Sequence, residues 1–321
     1  MKAGTLRVNF AERCFALRNG EIMRFLGMCL VWSLLILSGA GLLIAAEPGD
    51  YQPAPEFLKL PEGWTVGACS AVDISRKGEI YLFHRGQHPI LCFDSTGKFL
   101  RTWGDDHIKT AHGLRVDCDD NVWVTDIGHH QVFKFDATGK LLLALGTGKA
   151  GANIDQFDRP TDVAFGPDGE FYVTDGYGNS RVMKYSAAGK LLTSWGTRGQ
   201  GAGEFNVPHA IVLDRQNRVL VGDRENNRIQ IFDREGKWLE TWTGFAPYGL
   251  AYRPDGTLFV ATGREHDVLC LDNAGKISRR WGRKGAAPGE FDLPHMLCFD
   301  STGALLVAEV GGIRLQKLTA K

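Results

Sequence analysis

"FDSTGKFLRTWG", residues 93–104, is a small polar turn closed by glycine and followed by a short strand that ends on a tryptophan. Variants of the turn recur: "FDATGK" (135–140), "YSAAGK" (185–190), "FDREGK" (232–237) and "LDNAGK" (271–276). After four of the five the next strand runs to a tryptophan, as in "FLRTWG", "LLTSWG", "WLETW" and "ISRRWG". The turn glycines, Gly97, Gly139, Gly189, Gly236 and Gly275, are spaced 42, 50, 47 and 39 residues apart, with apolar strands such as "EFYVTD" and "NRIQIFD" between them. Four short strands per roughly 40–50 residues is the period of a β-propeller blade.

A second register gives the number of blades. The residue that opens the first strand of each unit and the one that ends the second strand form the pairs Ser70/His84, His112/Asp126, Thr161/Asp175, His209/Asp223, Tyr248/Thr262 and His295/Glu309, each 14 residues apart. Six units imply an all-β, six-bladed propeller over 66–321. The last unit lacks an outer strand after "LQKL", and "EFLKLPEGWTVG" (56–67) has the pattern of a strand that closes the ring from the N-terminal side. Residues 47–65 are thus a linker that includes a ring-closing strand.

The N-terminus is a different kind of sequence. Residues 25–46, "FLGMCLVWSLLILSGAGLLIAA", carry no charge, follow Arg24, and end in small residues suited to cleavage. They read as an export signal within a 1–46 leader, with Met23 an alternative start; a retained membrane anchor is the competing reading. The protein is therefore expected outside the cytoplasm, with membrane contact only through this segment. The 37 basic and 37 acidic residues cancel, and no Lys/Arg-rich run points to nucleic acid. Of seven cysteines, Cys14 and Cys29 lie in the leader, and the remaining five include no CxxC. Cys92, Cys270 and Cys298 sit in apolar runs and read as buried thiols, so a large core must hold the fold.

In a propeller the first strand of each blade lines the central channel. The slot that opens this strand holds Ser70, His112, Thr161, His209, Tyr248 and His295 in blades 1 to 6. Histidine falls in alternate blades, about 120° apart around the axis. Three imidazoles converging from three sides have the composition of a catalytic zinc site, although imidazole also suits iron, copper and nickel. The residue after the second strand should lie at the same mouth. There the chain has Arg85 and Arg224, in opposite blades, and nearby Tyr177 in "DGYGNSR". Guanidinium groups in that position suit a carboxylate-bearing substrate.

"HGLRVDCDDNVWVTDIGHHQVFKFD", "RPTDVAFGPDGEFYVTDGYGNSRV", "VPHAIVLD" and "GDRENNRIQIFD" resemble peptidyl-α-hydroxyglycine α-amidating lyase, a six-bladed propeller of the NHL-repeat class and the lyase half of the peptide C-terminal amidating enzyme. The likeness covers most of residues 66–310. It implies that His112, His209 and His295 bind zinc, that Tyr177 is the catalytic tyrosine, and that Arg85 and Arg224 are the active-site arginines. It also implies a structural calcium held by two backbone carbonyls, matched by Val72 and Leu114, and by an aspartate. The aspartate position is Met296 here, and a thioether is a poor calcium ligand. The cysteine positions of the family's animal members are taken by Gly178, Leu220 and Ile231.

The expected activity is cleavage of the C–N bond of an N-(α-hydroxyglycyl) amide to a primary amide and glyoxylate, on a small or peptide-derived carboxylate substrate. Two alternatives stand beside it. One is a non-catalytic NHL propeller that binds a peptide, glycan or protein; the other is a metal-dependent lactone or ester hydrolase.

Overall fold

In the computed structural model, which describes residues 51–54 and 56–320, each repeat is a four-stranded antiparallel sheet. Blade 1 is built from Cys69–Ile74, Ile80–His84, Ile90–Phe93 and Phe99–Trp103. Blades 2 to 5 follow over 111–145, 162–195, 208–243 and 249–281, and blade 6 over 294–320, giving six blades. The leader and signal expected at 1–46 lie outside the described residues. Among the described residues no helix is long and apolar enough to cross a bilayer.

The repeated turn has a local cause. The Asp94 carboxylate accepts from the backbone N–H of Thr96 (2.8 Å) and of Lys98 (3.0 Å), and Gly97 takes a left-handed φ of 82°. Asp136, Asp233 and Asp272 accept from the same two positions in their own turns. Asp300 does so in "FDSTGA", a further copy in blade 6 that extends the series read from the sequence.

Strands buried on both faces read as continuous apolar runs. Phe171–Asp175 is buried throughout, whereas the outermost strand of that blade, Leu191–Trp195, alternates between half-buried and exposed. The core is consequently a set of layers between blades. Tyr81, Phe83 and Phe133 fill the layer between blades 1 and 2, and Tyr172, Phe205 and Phe232 that between blades 3 and 4. Each such aromatic contributes about 1.5–3 kcal/mol on burial. Cys69, Cys92, Cys270 and Cys298 are free thiols buried in these layers.

The constant spacing of 14 also has a physical basis. In five of the six pairs the second member accepts hydrogen bonds from the loop that enters its blade; in blade 5 Thr262 instead donates to Asp267. Asp126 accepts from Lys109 N (2.7 Å) and Thr110 N (2.9 Å), Asp175 from Asp158 N (2.8 Å), Asp223 from Asn206 N (2.7 Å) and Glu309 from Asp292 N (2.7 Å). In blade 1 the acceptor is His84 Nδ1, which takes Gly67 N at 2.9 Å and Gly86 N at 3.1 Å. In those five blades the staples fix where the channel-lining strand begins, and so where its slot residue stands.

The ring closes from the N-terminal side, but with a different segment from the one the sequence pattern favours. Tyr51–Ala54 pairs antiparallel with Arg314–Ala320 and supplies the outer strand of blade 6. Tyr51 anchors it, donating to Gly303 O at 3.0 Å and packing edge-on to Trp281 of blade 5. The stretch 56–67 instead lies over the edge of the layer between blades 6 and 1. Phe57, Leu58, Leu60, Trp64 and Val66 cover apolar side chains there, and only Lys59 makes a bridge, to Lys98. Its apolar residues reflect that cover rather than a place in a sheet. The short closing strand carries Pro53, which an edge strand tolerates.

Candidate metal centre

Four of the six slot residues, the three histidines among them, leave the strand ladder where they stand. Pro208 pairs with Asp223 and Ala210 with Gly222, so His209 between them is a bulge residue; the register also shifts at Ser70, at His112 and at His295. A bulge re-aims a side chain that the pleat would otherwise direct into a blade layer. His112, His209 and His295 are buried, at 0%, 0% and 3% exposure, and their ligand atoms lie within 4.8 Å of one another. The Nε2 atoms of His112 and His209 are 3.1 Å apart.

Each of these imidazoles is oriented by the next blade. His112 Nδ1 donates to Thr161 O at 2.7 Å, His209 Nδ1 to Tyr248 O at 2.7 Å, and His295 Nδ1 to Ser70 O at 2.6 Å. A carbonyl can only accept, so Nδ1 carries the proton and Nε2 turns its lone pair to the axis. The slot residues of blades 1, 3 and 5 therefore serve the histidines of blades 6, 2 and 4 through their backbones. Gly113 follows His112 for the same reason: a Cβ there would stand 2.4 Å from Thr161 O, the carbonyl that His112 needs.

Electrostatics keep the cluster neutral. Burial drives the pKa of His112 and of His209 well below the ordinary histidine value, with further lowering from His295 and Arg85 for the first and from Arg224 and His112 for the second. Burial likewise takes His295 down to about 3, with Arg85 and Arg224 adding to it. Three converging lone pairs that resist protonation repel one another and are relieved by a cation. For bonds of 2.0–2.1 Å, tetrahedral ligand nitrogens sit about 3.3 Å apart, close to the His112–His209 spacing. The donor set fits zinc or another imidazole-binding metal, and the geometry leaves the metal's identity open.

Tyr177, Arg85 and Arg224 gather at this mouth. The Tyr177 hydroxyl is 3.0 Å from His112 Nε2 and 3.1 Å from His209 Nε2. Gly176 lets its loop come this close, because a Cβ at 176 would meet Pro208 O at 2.0 Å. The position of Gly178 is filled in a similar way, with Asp158 at 2.1 Å from a Cβ placed there. Arg224 Nη1 donates to the Tyr177 oxygen at 3.3 Å, and its guanidinium lies 5.3 Å from the Tyr177 ring and 4.7 Å from the Tyr248 ring. Glu225 holds the other side of Arg224, at 2.9 Å from Nε and 2.8 Å from Nη2, and Arg264 in turn pairs with Glu225. Arg85 donates through Nε to Ala111 O at 3.0 Å, and among the described residues it has no carboxylate partner.

Sequence reasoning found the histidines, the tyrosine and the two arginines, and the structure brings all six together. It missed Glu225, the Tyr248 ring and the carbonyls of Ser70, Thr161 and Tyr248. For the carbonyls the odd-blade slot positions were in view, but backbone acceptors leave no mark in side-chain identity. Val72 and Leu114 lie two residues beyond their slots and are buried. Met296 is packed into the apolar layer between blades 1 and 2, so the third ligand that calcium would need is not supplied there.

A sequence profile described as NHL repeat matches residues 110–135, 157–185 and 205–232. The chain is similar to NHL repeat-containing protein 3 of Mus musculus, 36% identical over 292 residues, which span 81% of this chain and 84% of that protein. It is also similar to peptidyl-alpha-hydroxyglycine alpha-amidating lyase 2 of Drosophila melanogaster, 32% identical over 286 residues, covering 84% of this chain and 68% of the other. A streptogramin B lyase structure aligns with a TM-score of 0.63 over 85% of this chain and 98% of its own, at 17% identity, a likeness of fold alone.

Proposed function

This chain belongs to the NHL-repeat family of β-propellers, and within that family we propose that it is a metal-dependent carbon–nitrogen lyase acting on N-(α-hydroxyglycyl) amides. The carrying observation is the Tyr177 hydroxyl, set 3.0–3.1 Å from two imidazole nitrogens that converge with a third and backed by Arg224. The similarity to a Drosophila amidating lyase supports the same reading.

His112, His209 and His295 would hold the metal, which when bound supplies Lewis-acid polarisation of the substrate hydroxyl. Tyr177 is the group placed to take the hydroxyl proton at Oη. The C–N bond breaks as the carbon–oxygen double bond of glyoxylate forms, the electron pair goes to the amide nitrogen, and the proton returns there to complete a primary amide. Arg224 is committed to Tyr177 and Glu225 and orients the phenol. Arg85 has both terminal nitrogens available for the substrate carboxylate, and a paired contact there fixes the α-carbon over the centre. With residues 25–46 acting as an export signal, the enzyme works outside the cytoplasm on a peptide-derived substrate.

The test is to load the purified protein with zinc, add α-hydroxyhippurate and assay products. Equimolar glyoxylate and benzamide are expected; a metal-loaded, folded protein that releases neither is not this lyase.

A further inference from the structure

Below the histidines the channel holds a second charged group. Arg115, three residues beyond His112 in the first strand of blade 2, is 9% exposed, and Asp162 of blade 3 is fully buried. The pair is bidentate: Arg115 Nε donates to Asp162 Oδ1 at 2.9 Å and Nη2 to Oδ2 at 2.7 Å. Nη2 also donates to Leu250 O at 3.1 Å. Leu250 belongs to blade 5, opposite blade 2, so the guanidinium reaches across the axis. Asp162 Oδ2 accepts Ile211 N of blade 4 at 3.1 Å, and Asp73 of blade 1 accepts Val116 N at 2.9 Å. Burial opposes the charge on Arg115, but the attraction of Asp162, with a contribution from Asp73, outweighs it and holds the group protonated.

Leu250 stands two residues after its slot residue, Tyr248, the register position of Val72 after Ser70 and of Leu114 after His112. Those are the two carbonyl positions that the family resemblance assigns to calcium. The cation that Arg115 brings into the channel is thus bound to the Leu250 carbonyl, at the matching register position of blade 5, while the acidic position of the calcium site is here buried, apolar Met296. We infer that Arg115 is a built-in central cation that replaces a structural calcium and ties the blades together around the axis. With this guanidinium paired to Asp162, the channel presents a cation where a divalent ion would need anionic ligands. The proposal is independent of the lyase activity, and so is its test.

The full-length protein is dialysed against EGTA, its calcium content is measured, and its thermal unfolding is followed with and without added calcium. No retained calcium and an unchanged Tm are expected. About one equivalent retained, or a Tm that falls in EGTA and returns with calcium, overturns the inference. In Arg115→Ala the Asp162 carboxylate and the Leu250 carbonyl are uncovered, so this variant should have a lowered Tm that calcium raises. An Arg115→Ala protein that folds but ignores calcium shows that the guanidinium is not in calcium's place. If the variant does not fold, the wild-type measurements still decide.

Discussion

His209 Nδ1 donates to the carbonyl oxygen of Tyr248 over 2.7 Å, tying a candidate ligand in blade 4 to the slot residue of blade 5. Because the contact is to backbone, Tyr248→Phe should leave metal content unchanged, whereas His209→Ala should remove a donor that two imidazoles cannot replace. Elemental analysis is expected to give about one equivalent of transition metal in the wild type and in Tyr248→Phe, and little in His209→Ala. A metal-free wild type would instead favour a binding module.

Tyr177→Phe removes the oxygen placed beside His112 and His209 while keeping the ring over which Arg224 lies. Glyoxylate release should drop about 10²–10⁴-fold through kcat, the range for loss of a general base, with metal content retained. A variant that keeps wild-type kcat would exclude Tyr177 as the base.

The two arginines should separate kinetically. Arg85→Ala loses the group free to bind carboxylate, so KM is expected to rise about 10–100-fold, as for a lost charge-assisted hydrogen bond. Arg224→Ala releases Tyr177 and should act mainly on kcat. Steady-state kinetics on α-hydroxyhippurate distinguish these outcomes from their reverse.

His84 makes blade 1 acid-sensitive. Burial lowers its pKa to about 4, and its Nδ1 accepts from Gly67 N and Gly86 N, so the folded protein keeps it neutral. The unfolded chain takes up a proton at an ordinary histidine pKa of about 6.5, so stability is full above that value and falls as the pH drops from about 6.5 toward 4, by about 3 kcal/mol in all. His84→Asn offers an amide oxygen in the same place and does not titrate. Thermal unfolding of the two proteins between pH 7 and 4.5 should show a shallower acid decline in the variant.

A chain that begins at Glu56 lacks Tyr51–Ala54 and leaves the edge of Arg314–Ala320 unpaired. Its Tm should fall by roughly 5–10 °C, with a greater tendency to associate through the open edge. Equal stability of the two chains would mean that 56–67 suffices to close the ring.

Much of the architecture could be read in advance because it is made locally. Most turns bind their own backbone within four residues of an aspartate such as Asp94, and the staples span the 16–17 residues between a loop and the end of a strand, as Asn206 and Asp223 do. Repetition then multiplies a weak local signal into a blade count. The closing strand could not be read this way. "YQPA" has little strand character alone and becomes a strand only because Arg314–Ala320 offers an edge and Tyr51 finds Trp281.

By itself, the sequence determined that there are six blades, that histidines occupy alternate slots, and that Tyr177, Arg85 and Arg224 share their end of the channel. All of this follows from period and register. Only the tertiary structure decided which atoms face the axis. His295 and Ser70 are 225 residues apart in the chain, yet Ser70 O fixes the proton on His295 Nδ1 and so turns Nε2 inward. Arg115 likewise finds Asp162 and the Leu250 carbonyl only when blades 2, 3 and 5 meet around the channel. Backbone carbonyls are the same in every residue, so their role appears only once the ring has closed and brought them within hydrogen-bonding distance.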